Sequence, residues 1–132
     1  MNIKEKMERL KSDARESQIS PENAKPGDWV LIEDSRGSIR LKRIDRVTKA
    51  TIFVGTSRVR KNKMRLMHSE WAWSDYTVIK DDDAREIASL LKTSRLVRQI
   101  SEAISNPAEV PVELAEEIVN AWRVSCNHMQ LG

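Results

Sequence analysis

The strongest chemical signal in this sequence is a concentration of basic side chains in its middle. Eleven lysines and arginines and a single acid, Asp45, lie between Arg36 and Arg65, which gives this segment a net charge of +10 against −7 for the rest of the chain. Basic residues at alternate strand positions point to one face and can bind phosphates with release of counterions. The competing interpretation is a solvated face whose cations protect strand edges or pair with the acids at 81–83.

Two tryptophans follow the basic segment. Trp71 and Trp73 are two residues apart, so on a strand they share a face. If exposed, they could stack on bases or anchor a protein partner, whereas the more usual role of tryptophan is in a core or against a helix. Together the two features predict a nucleic-acid or partner-binding set: Arg40, Lys42, Arg43, Arg46, Arg58, Arg60, Lys61, Lys63, Arg65, Trp71 and Trp73.

Residues that could perform catalysis or bind a metal are scattered. His68, His128 and Cys126 lack the paired spacing of structural zinc ligands. His68 has Ser69 and Glu70 beside it, but no third residue to orient the pair, and the chain has no glycine-rich phosphate loop. We therefore expect no enzymatic activity, no metal, no cofactor and no small-molecule substrate.

Three segments show helical periodicity. Residues 2–17 place apolar side chains at three- and four-residue spacing, as in an amphipathic helix. The carboxylates at 81–83 suit the start of a second helix, which ends before Asn106-Pro107, and a third begins after Val110-Pro111. The predicted apolar positions are Ile3, Met7, Leu10 and Ala14 in the first helix; Ile87, Leu90, Leu91, Val97, Ile100 and Ile104 in the second; and Leu114, Ile118, Ala121 and Trp122 in the third.

Between the first two helices the apolar pattern changes to period two. Strands are predicted at 29–32, 39–42, 51–55, 58–60 and 76–79, and a parity shift between Leu41 and Ile44 predicts a bulge or a sharp bend. Five short strands leave unpaired edges in an open sheet, so a closed or half-closed barrel is the economical arrangement. The predicted fold is α+β, with a small five-stranded antiparallel barrel between an N-terminal helix and two C-terminal helices.

The predicted helices and strands divide the chain into three parts. An N-terminal helix and linker occupy residues 1–25, the basic barrel residues 26–80, and a helical segment that packs on the barrel or on a partner chain residues 81–132. A single cysteine and the lack of a signal-peptide pattern favour a reducing cytoplasm. With no apolar run of 18 residues, we expect no membrane partner, while the helices could form a homodimer.

Short motifs in the barrel region resemble a class of small β-barrel proteins common in bacteriophage genomes. The stretches are Pro26-Gly27-Asp28-Trp29-Val30, the turn at Arg36-Gly37, Ile44-x-Arg46-Val47-Thr48-Lys49, Ile52-Phe53-Val54 and, after the basic run, Arg95-Leu96-Val97-Arg98. Such barrels are similar to Src-homology-3-like and KOW-type modules of translation and transcription factors, in which a loop-and-strand face touches RNA, DNA or polymerase. The resemblance implies that fold and a phage origin, with location in the host cytoplasm. Trp71, Trp73 and the third helix depart from it.

Two functions therefore remain open. In the first, a phage accessory protein contacts nucleic acid through the basic face of the barrel. In the second, the protein is an inhibitor or adaptor that docks on an acidic surface of a host machine, such as a defence nuclease complex.

Overall fold

The fold comprises three α-helices and seven strands. The computed structural model describes residues 1–131, with side chains through Cys126. The helices are α1 (Ile3–Glu16), α2 (Asp81–Ala103) and α3 (Val112–Leu131), and short 3₁₀ turns lie at Pro21–Asn23 and Pro107–Glu109. The strands are β1 (Trp29–Asp34), β2 (Ile39–Arg43), β3 (Arg46–Val47), β4 (Thr51–Val54), β5 (Ser57–Arg60), β6 (Arg65–Met67) and β7 (Trp73–Ile79).

The strands form two antiparallel sheets. The larger has the order β2-β1-β7-β6 and the smaller the order β3-β4-β5. The α+β class, the antiparallel pairing and the flanking helices are thus confirmed. The described chain differs from the expectation in having seven strands in two sheets rather than five in one closed barrel. Strands β3 and β6, of two and three residues, are too short to reveal themselves by alternation in the sequence.

A corner at Ile44 carries the chain from the larger sheet to the smaller. The Ile44 amide donates to the Asp28 carbonyl, and the Gly27 amide donates to the Ile44 carbonyl. Gly27 has a φ of +89°, a conformation that favours glycine. This corner is the bend predicted from the parity shift, and it places the buried Ile44 side chain in the core.

The main hydrophobic core combines side chains from both sheets. Strand residues at alternate positions supply it, including Ile32 of β1, Ile52 of β4 and Val59 of β5, each at most 2% exposed. Tyr76 and Val78 of β7 complete the same cluster. Because strand alternation sends these side chains into this core, their sequence neighbours point to the opposite side of each sheet.

A second core lies between the opposite face of the larger sheet and the helices. Leu31 and Ile79 from the sheet meet Ala14 of α1 and Ala84 and Ile87 of α2. The Asn2 side chain caps the start of α1 by accepting a hydrogen bond from the Glu5 amide. The larger sheet is therefore covered on both faces.

A buried lysine within α1 was not anticipated from the sequence. The Lys11 ammonium donates to the Glu33 carboxylate at 2.5 Å and lies 2.8 Å from that of Glu8, while Arg15 also bonds Glu33. Burial lowers the pKa of Lys11, but the two carboxylates outweigh it and hold the pKa above its ordinary value. The ion pair fastens α1 to β1.

The chain divides into two units, and the boundary falls within α2. The first unit extends from Met1 to Lys92 and contains both cores; the second begins at Thr93. The apolar stripe predicted along α2 splits accordingly, since Ile87 is buried whereas Ile100 is 47% exposed. Among the described residues, none of the helices has the length and apolar character needed to cross a membrane.

Candidate nucleic-acid interface

The outer face of the smaller sheet brings three arginines together around one aromatic ring. Arg46 of β3 pairs in register with Phe53 of β4, and Phe53 pairs with Arg58 of β5. Arg60 lies two residues beyond Arg58 and so shares its side of the strand. Since the alternating positions Ile52, Val54 and Val59 enter the core, these side chains face away from it. We call this surface, formed by Arg46, Arg58 and Arg60 around Phe53, the three-arginine face.

Phe53 supports the two arginines that flank it. The guanidinium carbon of Arg46 lies 4.1 Å from the centre of the Phe53 ring, and that of Arg58 lies 5.7 Å away. Both distances are within the range of cation–π attraction. Stacking through the flat face of a guanidinium leaves its N–H edges free to donate hydrogen bonds. Phe53 thus orients two donors that match phosphate or carboxylate oxygens.

Three lysines extend the positive charge along one border of this sheet. The Lys61 amide donates to the Ala50 carbonyl and the Lys63 amide donates to the Arg60 carbonyl, each at 2.9 Å. The first bond holds the turn after β3 beside the turn after β5, and the second closes the turn after β5. Lys49 and Lys63 are exposed and Lys61 is half-buried, so the turns add cations next to the three-arginine face.

The positive charge of the face is not neutralised by neighbouring acids. Across residues 1–126, only Arg65 of the basic segment has a carboxylate within ion-pair distance. Asp45, the one acid of the segment, instead accepts a hydrogen bond from the Gly55 amide at 2.6 Å. Asp81 bonds Arg85 and the Trp29 ring nitrogen, and Asp83 bonds Ser17. The acids at the start of α2 therefore bond groups outside the basic segment.

The basic residues of β2 have a different environment. Arg43 stacks on Trp29 at 4.2 Å and donates to the Gly27 carbonyl. The ammonium of Lys42 lies 3.7 Å from the position that a Cβ at Gly55 would occupy. Arg40 is exposed on the same strand, which is an edge of the larger sheet. Cations on an edge strand discourage further strand pairing, so these three residues also protect that edge.

Arg65 and the tryptophans lie on another surface. Arg65 donates to both carboxylate oxygens of Asp75 and stacks on Trp73 at 5.1 Å. Trp73 and Asp75 alternate with the core residue Tyr76, so they occupy the side of the larger sheet that faces away from the smaller one. Trp73 is half-buried, whereas Trp71, in the loop after β6, is 81% exposed instead of residing in a core.

The structure thus separates the predicted binding set. Arg46, Arg58 and Arg60 come together, with Lys61 and Lys63 at their border, while Arg65 and Trp73 lie on another surface. On β2, strand alternation sends Arg43 to the side opposite Arg40 and Lys42. Phe53 was missed as a site residue. Its sequence signal is an aromatic residue between Ile52 and Val54, two positions that strand alternation sends inward.

The weak catalytic and metal candidates gain little from the geometry. The His68 ring nitrogen Nε2 lies 2.9 Å from the Ser74 hydroxyl, but Ser74 is only 2% exposed. No group of three His, Cys, Asp or Glu residues converges within the described part of the chain. The side chain of His128 lies outside the described residues.

The evidence for the three-arginine face is the geometry of its own residues. When the chain is compared with protein-family models, with curated proteins and with solved structures, none of the three comparisons finds a match.

Proposed function

We propose that this protein binds nucleic acid through the three-arginine face. The observation that carries the proposal is the convergence of Arg46, Arg58 and Arg60 on one open sheet face without a carboxylate partner among residues 1–126. Unpaired arginines that share a surface attract phosphate strongly, because each contact releases condensed counterions.

The spacing of the donors suits a nucleic-acid backbone. Arg58 and Arg60 are separated along β5 by about 7 Å, and Arg46 lies two strands from Arg58, about 10 Å across the sheet. The set can therefore contact more than one phosphate. Guanidinium planes also stack on unpaired bases, so a single strand gains a second favourable contact.

The chemistry of the face favours binding with little sequence preference. Arginine contacts to phosphates position a nucleic acid without reading its bases. Src-homology-3-like and KOW-type modules, which the sequence resembles, use a comparable loop-and-strand face. We accordingly propose an accessory role, such as regulating expression in a phage-infected cell, rather than recognition of one specific site.

The test measures affinity as a function of salt for labelled single-stranded DNA, single-stranded RNA and duplex DNA. The substituted protein carries Arg46→Gln, Arg58→Gln and Arg60→Gln. Losing three phosphate contacts should flatten the slope of log affinity against log salt by about 2 to 3. The matched control carries Lys4→Gln, Lys6→Gln and Arg9→Gln, which remove the same charge from exposed positions of α1.

The comparison between the two triple variants tests whether nucleic acid binds at the three-arginine face. An unchanged slope in the control with a flattened slope in the arginine variant supports the proposal. Equal losses in both would mean that net charge alone drives the binding, and no measurable binding by the unsubstituted protein at low salt would refute the proposal.

A second candidate function is protein binding, and Trp71 is the observation that favours it. A tryptophan 81% exposed at a loop tip is typical of an interface anchor. It lies in the loop that precedes Trp73. In this alternative the protein is an inhibitor or adaptor of a host machine, such as a nuclease complex.

Co-purification from the native host tests this alternative. Trp71→Ala should abolish recovery of a stoichiometric partner, while Met67→Ala, a change at a nearby residue 48% exposed, should not. Recovery of the same partner with Trp71→Ala would contradict a role for this loop.

A further inference from the structure

Between Thr93 and Cys126, the second unit has many apolar side chains but buries none of them. From Thr93 to Cys126 every described side chain is exposed or only partly buried. The exposed large apolar residues of this unit are Leu96, Val97, Ile100, Val112, Leu114, Val119, Trp122 and Val124, each 40–67% accessible.

Helix α3 arranges part of this apolar surface as a seam. Val112, Ala115, Val119, Trp122 and Cys126 follow one another at spacings of three and four residues. This is the a and d pattern of a coiled coil, in which such a seam faces another helix. Val112 and Trp122 are about two-thirds exposed, so the seam is open over much of its length.

The same seam forms one side of a groove. A shallow groove of about 720 Å³ is lined by Val112, Ala115 and Val119 of α3 and by Pro107 and Val110 from the turn before it. Its lining also includes one acid, Glu116, and one base, Arg123. A groove whose lining combines apolar side chains, Asn120 and one charge of each sign can accept a helix of matching pattern.

The two charges make the surface complementary to itself. Glu116 lies four residues after Val112 and Arg123 four residues after Val119, and both valines are a positions of the seam. Glu116 and Arg123 therefore occupy e positions. When two copies of α3 run antiparallel about a two-fold axis near Asn120, Glu116 of each copy meets Arg123 of the other. A two-fold interface requires this property, since one patch contacts its own duplicate.

We propose that the protein dimerises by antiparallel pairing of α3 with α3 of a second copy. In this arrangement Val119 faces Trp122 of the second copy and Ala115 faces its Cys126. The bulky indole therefore fills the space beside a valine rather than meeting another indole. The inference stands independently of the nucleic-acid proposal, because it concerns different residues and a different partner.

The oligomeric state of the full chain tests the proposal. Light scattering after size exclusion should give twice the 15.2 kDa chain mass and a return to that mass on dilution. Val119→Gln should raise the dimer dissociation constant at least about tenfold. The control is Val124→Gln, which changes a valine that is also exposed in α3 but lies on the polar side of the helix, and it should leave the dimer intact.

A charge exchange separates pairing from folding. Glu116→Arg alone and Arg123→Glu alone should each weaken the dimer, because like charges then face each other twice. The double variant Glu116→Arg with Arg123→Glu should restore it, since opposite charges meet again. A double variant as weak as the single ones would overturn the antiparallel register, whatever the helical content measured by circular dichroism.

Two further results would overturn the proposal. Antiparallel pairing keeps the two Cys126 residues about 16 Å apart along the helices, too far for a disulfide. Rapid oxidation to a Cys126-linked dimer would indicate parallel pairing instead. Loss of the dimer on Leu96→Gln, but not on Val119→Gln, would place the interface on α2, and a monomer at all concentrations would exclude self-association.

Discussion

The two units of this chain use apolar residues in opposite ways. In the first unit, Leu31, Ile52 and Ile87 are almost completely buried in two cores around a sheet. In the second, Leu96, Ile100 and Trp122 remain about half or more exposed. Burial of apolar surface is the main source of folding free energy, so the first unit contains its own stabilisation, whereas the second leaves apolar surface that the proposed pairing with a second copy would bury.

The largest expected effect contrasts one leucine from each unit. Leu31→Ala removes a side chain 1% exposed and leaves a cavity, so the free energy of unfolding should fall by about 3 to 4 kcal/mol. Leu96→Ala changes a residue 47% exposed and should cost less than about 1 kcal/mol. Urea unfolding followed by circular dichroism provides the measurement. Similar losses at both positions would contradict the difference in apolar burial between the two units.

A second prediction concerns the ion pair that fastens α1 to the sheet. Glu33→Gln removes the main charge partner of a lysine that is 5% exposed, so the free energy of unfolding should fall by about 2 to 3 kcal/mol. Glu8→Gln is the control, because Glu8 binds the same ammonium but is 62% exposed, and its effect should be much smaller than that of Glu33→Gln. Equal effects would show that Lys11 does not depend on the buried partner.

The same ion pair predicts the direction of a pH dependence. The pKa of Lys11 is higher in the folded protein than its ordinary value of 10.5. Its contribution to stability is therefore complete below that value and is lost as pH rises through the folded pKa. Urea midpoints measured in alkaline buffers should fall in the unsubstituted protein and change less in Lys11→Met. A parallel decline in both proteins would assign the pH dependence to other groups.

A smaller effect is expected at the ring beneath the arginines. Phe53→Leu keeps an apolar side chain on β4 but removes the aromatic surface on which Arg46 and Arg58 stack. Affinity for single-stranded DNA should fall about threefold to tenfold, with little change in the free energy of unfolding. Fluorescence anisotropy measures the first quantity and urea unfolding the second. A loss of stability without a loss of affinity would assign Phe53 a purely structural role.

The smallest predicted effect is local to the start of α2. Hydrogen bonds from Arg85 and from the Trp29 ring hold the pKa of Asp81 below its ordinary value of 3.8. The contribution of these bonds to stability is thus present above that value and lost as pH falls through the folded pKa. The Trp29 indole N–H resonance should follow this titration by nuclear magnetic resonance, and Asp81→Asn should abolish it. A titration that persists in Asp81→Asn would identify a different acid.

Much of the local structure was predictable because it depends on short-range patterns. The three helices and most strands follow from periodicities of 3.6 and 2, and the corner at Ile44 from the parity shift before it. Strands β3 and β6 could not be predicted from the sequence, because two or three residues cannot establish a period. The burial of Lys11 could not be predicted for another reason, because its partner Glu33 is 22 residues away in the chain.

The candidate site was only partly predictable. The sequence shows that cations concentrate between Arg36 and Arg65, but strand pairing decides which of them share a surface. Arg46 and Arg58 are twelve residues apart and meet only because Phe53 lies between them in the sheet. Arg65, in the same segment, is turned to another side and bound to Asp75.

By itself, then, the sequence determined the kinds of secondary structure, their approximate order and the bipolar distribution of charge, because these follow from residue type and neighbouring positions. Tertiary structure alone decided that seven strands form two sheets, that Trp71 is exposed, and that the apolar stripe of α2 is buried at Ile87 but open at Ile100. The physical reason is the same in each case. Burial and shared surfaces depend on which distant segments pack together, and short-range patterns do not contain that information.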